Sequence, residues 1–178
     1  IELLREAHWQ YTLGDDIHRK YTDPLIEEDL RNFLAVQYKD KNLTTSEMDG
    51  IVANLRNTGG QNDYYALRNA FLLYRDGYDF AYSDSRDNPF RMEYIDFEHP
   101  DHNIFRCVNQ FVMEQGRENR RPDILLFING IPVCIIELKN PTNQNATIRD
   151  AHTQICTRYM RDIPSLLKYC ALAVISDG

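Results

Sequence analysis

The sequence has no apolar run near the roughly 20 residues that a membrane-spanning helix needs. Its longest, Ile131 to Leu138, is interrupted by Pro132 and reads as a buried strand. No secretory signal opens the chain. A glycine-rich phosphate loop, a Ser/His/Asp triad and zinc-type cysteine spacing are all missing, which leaves nucleotide binding, serine hydrolysis and zinc-ribbon folds without a carrier. Cysteine is sparse. Cys107, Cys134, Cys156 and Cys170 include no Cys-x-x-Cys pair, and each sits in an apolar or helical context. They are expected to be small reduced core residues in a cytoplasmic protein. Basic side chains are outnumbered, 20 Lys and Arg against 27 Asp and Glu, for a net charge of −7. That balance argues against a protein that coats nucleic acid, whose surface is usually basic. It leaves room for one whose carboxylates hold a metal.

What is present is ordinary for a globular domain: 178 residues, 43% hydrophobic and 26% charged, enough for one domain with a hydrophobic core. The chain opens at Ile1 without Met and stops at Gly178, just after the strand-like run from Cys170 to Asp177, so more protein is expected downstream. The first part, to about residue 77, reads as helical. A short helix is expected over Leu3 to Tyr11. A second is expected to begin at Thr22 or Asp23, with Pro24 at its first helical position and Glu27, Glu28 and Asp29 in the early turns, and to run to about Tyr38. Thr44 and Glu47 have capping-box spacing ahead of Met48, Ile51, Val52 and Leu55. After the break at Gly59-Gly60 another helix spans Asp63 to Asp76 and stops at Gly77.

From about residue 78 the period changes to alternation. Tyr78, Phe80 and Tyr82 alternate with polar neighbours, Tyr94 to Phe97 reads as a short strand, and Ile104 to Met113 reads as a longer one. Asp123 to Ile128 and Pro132 to Lys139 flank Asn129-Gly130, a strong hairpin signal. A helix from Thr147 to Met160 and a stretch from Leu166 to Ser176 ending in a strand complete a mixed α/β domain.

The stretch Arg121-Pro-Asp-Ile-Leu-Leu-Phe-Ile-Asn-Gly-Ile-Pro-Val-Cys-Ile-Ile-Glu-Leu-Lys139 carries the chemistry. Phosphodiester hydrolysis needs an activated water and neutralised phosphate charge, and divalent ions supply both. Mg²⁺ takes oxygen ligands, commonly one or two carboxylates with waters and phosphate. Asp123 and Glu137 are the candidate carboxylates. Glu137 and Lys139 leave the same strand face, which puts an ammonium beside the metal to orient water or stabilise developing charge. The alternative, a solvated pair at a strand end, fits poorly with the continuous apolar run Val133 to Ile136, which reads as a strand covered on both faces. Register makes the idea testable. A two-residue loop pairs Ile128 with Ile131 and hence Asp123 with Ile136, putting the two acids on opposite faces; a three-residue loop with a bulge pairs Ile128 with Pro132 and hence Asp123 with Glu137. Shared metal binding therefore predicts a bulge or a longer turn.

The Pro-Asp…Glu-Leu-Lys pattern resembles that of the PD-(D/E)xK nucleases. Asp96-Phe-Glu, Val108-Asn-Gln-Phe, Arg121-Pro-Asp, Leu126-Phe-Ile-Asn-Gly, Glu137-Leu-Lys-Asn-Pro, Arg161-Asp-Ile-Pro and Ile175-Ser-Asp-Gly look like the N-terminal endonuclease domain of the type I restriction enzyme R subunit. The resemblance covers Asp96 to Gly178. It implies a restriction-endonuclease-like fold, α/β with a mixed central sheet flanked by helices, over a single domain 1–178. It also implies double-stranded DNA as substrate, a downstream ATP-dependent translocating motor through which alone ATP enters, and methyltransferase and specificity subunits as partners. In that family a Gln and a Tyr, commonly QxxxY, complete the site, which points to Gln154 and Tyr159. Here they stand five apart. Five residues of α-helix turn about 500°, leaving the two side chains roughly 140° apart, so the Gln role requires a local distortion of the helix. A helix that simply packs on the sheet is the other reading.

An upstream acid often joins such a site, and Glu27, Glu28 and Asp29 are candidates, although acids also favour a helix N-terminus for its dipole. His99-Pro-Asp-His102 reads as a turn before it reads as a metal site. Arg117, Arg120 and Arg121 fit either DNA phosphates or a salt-bridged loop, and His152 fits the surface better than a phosphate contact. Two functions remain open: a Mg²⁺-dependent endonuclease built on Asp123, Glu137 and Lys139, and a non-cleaving module of the same fold that docks DNA or a subunit.

Overall fold

The structure, a computed structural model, describes residues 2–84, 87–138 and 148–176. The chain runs through α1 (Glu2–Glu6), β1 (Gln10–Leu13), α2 (Glu27–Gln37), α3 (Thr45–Asn57), α4 (Asp63–Asp76), β2 (Tyr78–Phe80) and β3 (Phe90–Met92). It continues through β4 (Phe105–Asn109), β5 (Met113–Gln115), β6 (Glu118–Arg120), β7 (Ile124–Ile128), β8 (Ile131–Leu138), α5 (Ile148–Thr153), a π-helix (Gln154–Tyr159), α6 (Met160–Asp162), α7 (Pro164–Leu167) and β9 (Leu172–Ser176). Five strands form one sheet in the order β1-β4-β7-β8-β9. β1 is parallel to β4 and β8 to β9, while β4, β7 and β8 are antiparallel, so the sheet is mixed. Two small hairpins, β2-β3 and β5-β6, stand apart from it.

The sheet lies between two apolar clusters. On one side Leu30, Leu34, Ile51 and Leu55 of α2 and α3 meet Tyr94, Ile131 and Tyr169. On the other, Val108, Phe111, Leu125, Phe127 and Ile135 meet Ile155, Tyr159 and Leu166. Phe127 is fully buried, a contribution on the order of 2–3 kcal/mol from water exclusion alone. This is the mixed α/β arrangement, a central sheet flanked by helices, that the restriction-endonuclease-like fold requires. Among the described residues no helix is long and apolar enough to cross a membrane.

Several elements form where the sequence places them. The Thr44–Glu47 capping box is closed on both sides, and α4 ends at Gly77, whose φ is +68°. Others differ. The expected helix Leu3 to Tyr11 ends at Glu6, and Tyr11 belongs to a strand held by its parallel neighbour β4. α2 starts at Glu27 rather than Thr22 or Asp23, so Pro24 is not its first residue. The Asp23 carboxylate takes the Leu25 N–H at 3.1 Å, and the Ile26 N–H is donated to the Gly130 carbonyl at 2.9 Å, which spends these donors outside the helix. Tyr94 to Phe97 is not a strand. The expected strand Ile104 to Met113 is broken after Asn109 by Gln110 at φ +59°, and Phe111 and Met113 pack with Val108. Cys107, Cys134 and Cys170 are buried free thiols, but Cys156 is exposed. The expected helix start at Thr147 lies outside the described residues.

Candidate active site

Asp123 and Glu137 are positioned by a hairpin that changes register along its length. Asn129 and Gly130 both have positive φ, +50° and +76°, and Ile128 pairs with Ile131 across this two-residue turn. A side chain on Gly130 would run into the Ile26 carbonyl, so the close approach of α2 requires glycine there. The pairing starts in the register that would separate the two acids. Between Leu126 and Phe127 it shifts: Phe127 faces Pro132, Leu126 faces Cys134, and Val133 is left as the extra residue. Beyond the bulge Ile124 faces Ile136, and one further step sets Asp123 opposite Glu137. Turn and bulge thus coexist. The expected bulge is present within the ladder, while the loop itself is tight. Leu125, Phe127 and Ile135 pack in the second cluster, so Asp123 and Glu137, two residues along each strand, share that face.

Asp123 is half-buried, and Glu137 is only 3% exposed. One Asp123 carboxylate oxygen accepts the Leu138 N–H at 2.9 Å. The Gln110 amide approaches the other at 3.5 Å, and the Gln110 N–H donates to the Asp123 carbonyl at 3.0 Å. Gln110 is a site residue that alternation did not reveal. Its only trace in the sequence is the Val108-Asn-Gln-Phe word inside what reads as one strand.

The helix that covers this face resolves the five-residue spacing. Gln154 to Tyr159 is a π-helix, flanked by α-helical turns on both sides. Its wider turn closes over about five residues, so Gln154 and Tyr159 fall on one side. The Gln154 amide donates to the Tyr159 hydroxyl at 2.7 Å and to a Glu137 carboxylate oxygen. The Tyr159 hydroxyl lies 3.3 and 3.5 Å from the two Glu137 oxygens. Burial raises the Tyr159 phenol well above its ordinary value, and the Glu137 and Asp123 carboxylates push the same way. It therefore stays a protonated donor across the neutral range. Lys139 lies outside the described residues, as does the segment after it to residue 147.

The donors gathered here are two carboxylates, a phenol and a carboxamide, all oxygen on the acceptor side. This is a hard-oxygen set of the kind Mg²⁺ takes, and imidazole- or thiolate-seeking metals would prefer other partners. Burying the Glu137 carboxylate is costly without compensation, which donors or a cation provide. Asp123 and Glu137 are the residues that would hold such an ion.

None of the three upstream acids reaches this pair. The Ile26–Gly130 hydrogen bond docks the start of α2 at the hairpin turn, the end away from Asp123. Glu27 is taken by Arg31 and Arg56, each at 2.6 Å, and Glu28 is exposed. Asp29 is gripped at 2.6 and 2.7 Å by Arg106, which is in register with Phe127. Arg120 is held by Asp162 and Glu118, as a salt-bridged loop would have it, while Arg117 and Arg121 are exposed. His152 is exposed, 3.5 Å from the Cys156 sulfur.

A mixed sheet with a bulged central hairpin, opposing two acids beneath a helix, places the molecule in the restriction-endonuclease-like class of α/β folds. The chain belongs to the family of type I restriction enzyme R protein N-termini, whose sequence model matches residues 1–178. Similar proteins include the type I restriction enzyme MjaIXP endonuclease subunit of Methanocaldococcus jannaschii, 31% identical over 186 residues, covering 100% of this chain and 18% of that protein. The HindI endonuclease subunit of Haemophilus influenzae is 29% identical over 188 residues, again covering 100% of this chain and 18% of that protein. The MjaVIIIP endonuclease subunit, also of M. jannaschii, is 38% identical over 85 residues, 48% of this chain and 8% of that protein. The chain thus spans about 18% of the length of the first two.

Proposed function

We propose that this chain is the DNA-cleaving part of a type I restriction enzyme R subunit, a Mg²⁺-dependent endonuclease of the PD-(D/E)xK kind acting on double-stranded DNA in the cytoplasm. The observation that carries the reading is the register shift at Val133, which turns two acids that a regular hairpin would separate onto one face beneath Gln154 and Tyr159. A divalent ion held by Asp123 and Glu137 supplies phosphate charge neutralisation and a more acidic water. The Leu138 N–H and the Gln110 amide fix the Asp123 carboxylate. Gln154 and Tyr159 donate to that of Glu137 and fix its orientation. Lys139, two residues after Glu137 in sequence, is assigned the attacking water or the charge that develops on the phosphate. Relatives of which this chain covers 18%, named as endonuclease subunits of type I restriction enzymes, support a longer R subunit within a multi-subunit enzyme; we assign to it a downstream ATP-driven motor that delivers DNA, with methyltransferase and specificity subunits as partners.

In the assembled enzyme, Glu137→Ala and Lys139→Ala are each expected to lower DNA cleavage on the order of 10³-fold or more while the protein still folds. Full cleavage by either variant sinks the assignment. Mg²⁺ calorimetry separates the other reading, a module of the same fold that docks without cutting: such a module binds no Mg²⁺ that depends on Asp123 and Glu137.

A further inference from the structure

A second cluster of ligating side chains stands at the opposite end of the hairpin. One ligand atom each from Asp96, His99 and His102 lie within 4.8 Å of one another. The loop that carries them is held from several sides. One Asp96 carboxylate oxygen accepts the N–H groups of Glu98 at 3.1 Å and His99 at 2.8 Å. Asn103 brackets Asp96, accepting its N–H at 2.9 Å and donating to its carbonyl at 2.7 Å. Asn129 of the hairpin turn donates to Asn103 at 2.8 Å, which ties the loop to the turn. Pro100 opens a single 3₁₀ turn to His102 and brings the second imidazole round beside the first.

The other Asp96 oxygen, Oδ2, faces both histidines. His102 Nδ1 lies 3.0 Å from it and His99 Nδ1 3.7 Å, while Gln37 Nε2 donates to it at 3.0 Å. A tetrahedral ion bound to nitrogen and oxygen at about 2.0–2.1 Å holds its ligand atoms roughly 3.3 Å apart. The two distances here bracket that value. The imidazoles stack at 5.0 Å with 17° between their planes. The His102 Nδ1 contact is a hydrogen bond to Asp96 Oδ2, which a bound ion would replace with coordination of both atoms. The Asp96 side chain is 5% exposed, against 64% for His99 and 54% for His102. The carboxylate is thus fixed by its own hydrogen bonds, as ligating carboxylates are, and the remaining coordination positions open to solvent.

We propose that Asp96, His99 and His102 bind a borderline divalent transition-metal ion of the Zn²⁺ class, at a site separate from the all-oxygen Asp123–Glu137 pair. Imidazole ligands select Zn²⁺, Co²⁺ or Ni²⁺ over Mg²⁺, so the two sites differ in the metal they take. Six strand residues, about 20 Å, part Asp123 from the Asn129 turn to which this loop is tied.

The test titrates Zn²⁺ by calorimetry, and Co²⁺ by its visible absorption, into the whole protein with Mg²⁺ in excess. Cys156→Ser serves as background, because it removes the exposed thiol beside His152. One Zn²⁺ per chain is expected at micromolar or tighter affinity, with a rise in Tm. His99→Ala and His102→Ala, both at exposed positions, should each weaken it by about tenfold or more while circular dichroism stays unchanged. Glu137→Ala should leave it intact. The proposal is overturned if Zn²⁺ does not bind, if the His99→Ala/His102→Ala double variant binds it as well as the parent, or if binding follows Glu137 instead. The Glu137→Ala arm also keeps this result independent of the nuclease reading.

Discussion

Asp29 shows how one carboxylate is committed by residues far from it in sequence. It is 4% exposed, and Arg106 meets it through two nitrogens while also donating to Thr12 at 2.8 Å. Removing the cation strands a buried charge, so Arg106→Ala is expected to cost about 3–5 kcal/mol of unfolding free energy by urea denaturation. The half-exposed Glu27–Arg56 contact should cost under about 1 kcal/mol when broken. In the sequence these acids read equally well as ligands or as a helix start, because the deciding partner lies 77 positions away. Asp123 and Glu137 were legible as a pair because one hairpin joins them and its turn is written as Asn-Gly. Gln154 and Tyr159 were legible only through family resemblance. Gln110 was hidden, since nothing local requires a positive φ at a glutamine between Asn and Phe.

Two irregularities do the positioning at the level of elements, and each is one residue long. Deleting Val133 should remove the bulge and leave every pair of the ladder in place, Asp123 opposite Glu137 included; calorimetry is expected to show Mg²⁺ binding kept, and its loss would contradict the register account. Deleting Thr157, exposed on the π-helix, should convert that turn to α-helix with Gln154 and Tyr159 four apart. Far-UV circular dichroism and cleavage by the assembled enzyme are expected to change little, and a collapse of either would contradict the account of the π turn. The bulge could be demanded from sequence because the chemistry needed one face, but its place inside the ladder could not. The helical pattern of Leu3 to Tyr11 gives no sign of β1, because its one strand partner among the described residues is β4, a non-local parallel neighbour. Tyr94 to Phe97 was misread because burial makes it apolar while side chains do the work of a ladder: Asn129 donates to the Tyr94 carbonyl at 2.9 Å and Asn103 to that of Asp96.

Across the whole molecule, acid is the condition to which the fold is most exposed. Arg161, and then Arg120, hold the Asp162 carboxyl below its ordinary 3.8. Arg56, with Arg31 adding to it, holds Glu27 below 4.5 against some opposition from burial. A carboxyl lowered on folding adds stability that is complete above its unfolded value and is lost as pH falls through the folded one. Tm is therefore expected to be flat from about pH 5 to 7 and to drop below about pH 4, and Asp162→Asn should flatten that drop; a parent curve with no acid limb would refute the linkage. The hairpin carries a different kind of sensitivity. Its arms hold six residues from Asp123 to Ile128 and seven from Ile131 to Glu137, an even count against an odd one. The difference of one between the arms, taken up by the bulge, decides whether the acids meet. Adding one residue to the Ile131–Glu137 arm turns them apart, while adding one to the Asp123–Ile128 arm equalises the counts and lets a plain ladder set them opposite, so a viable single insertion should fall in the shorter arm.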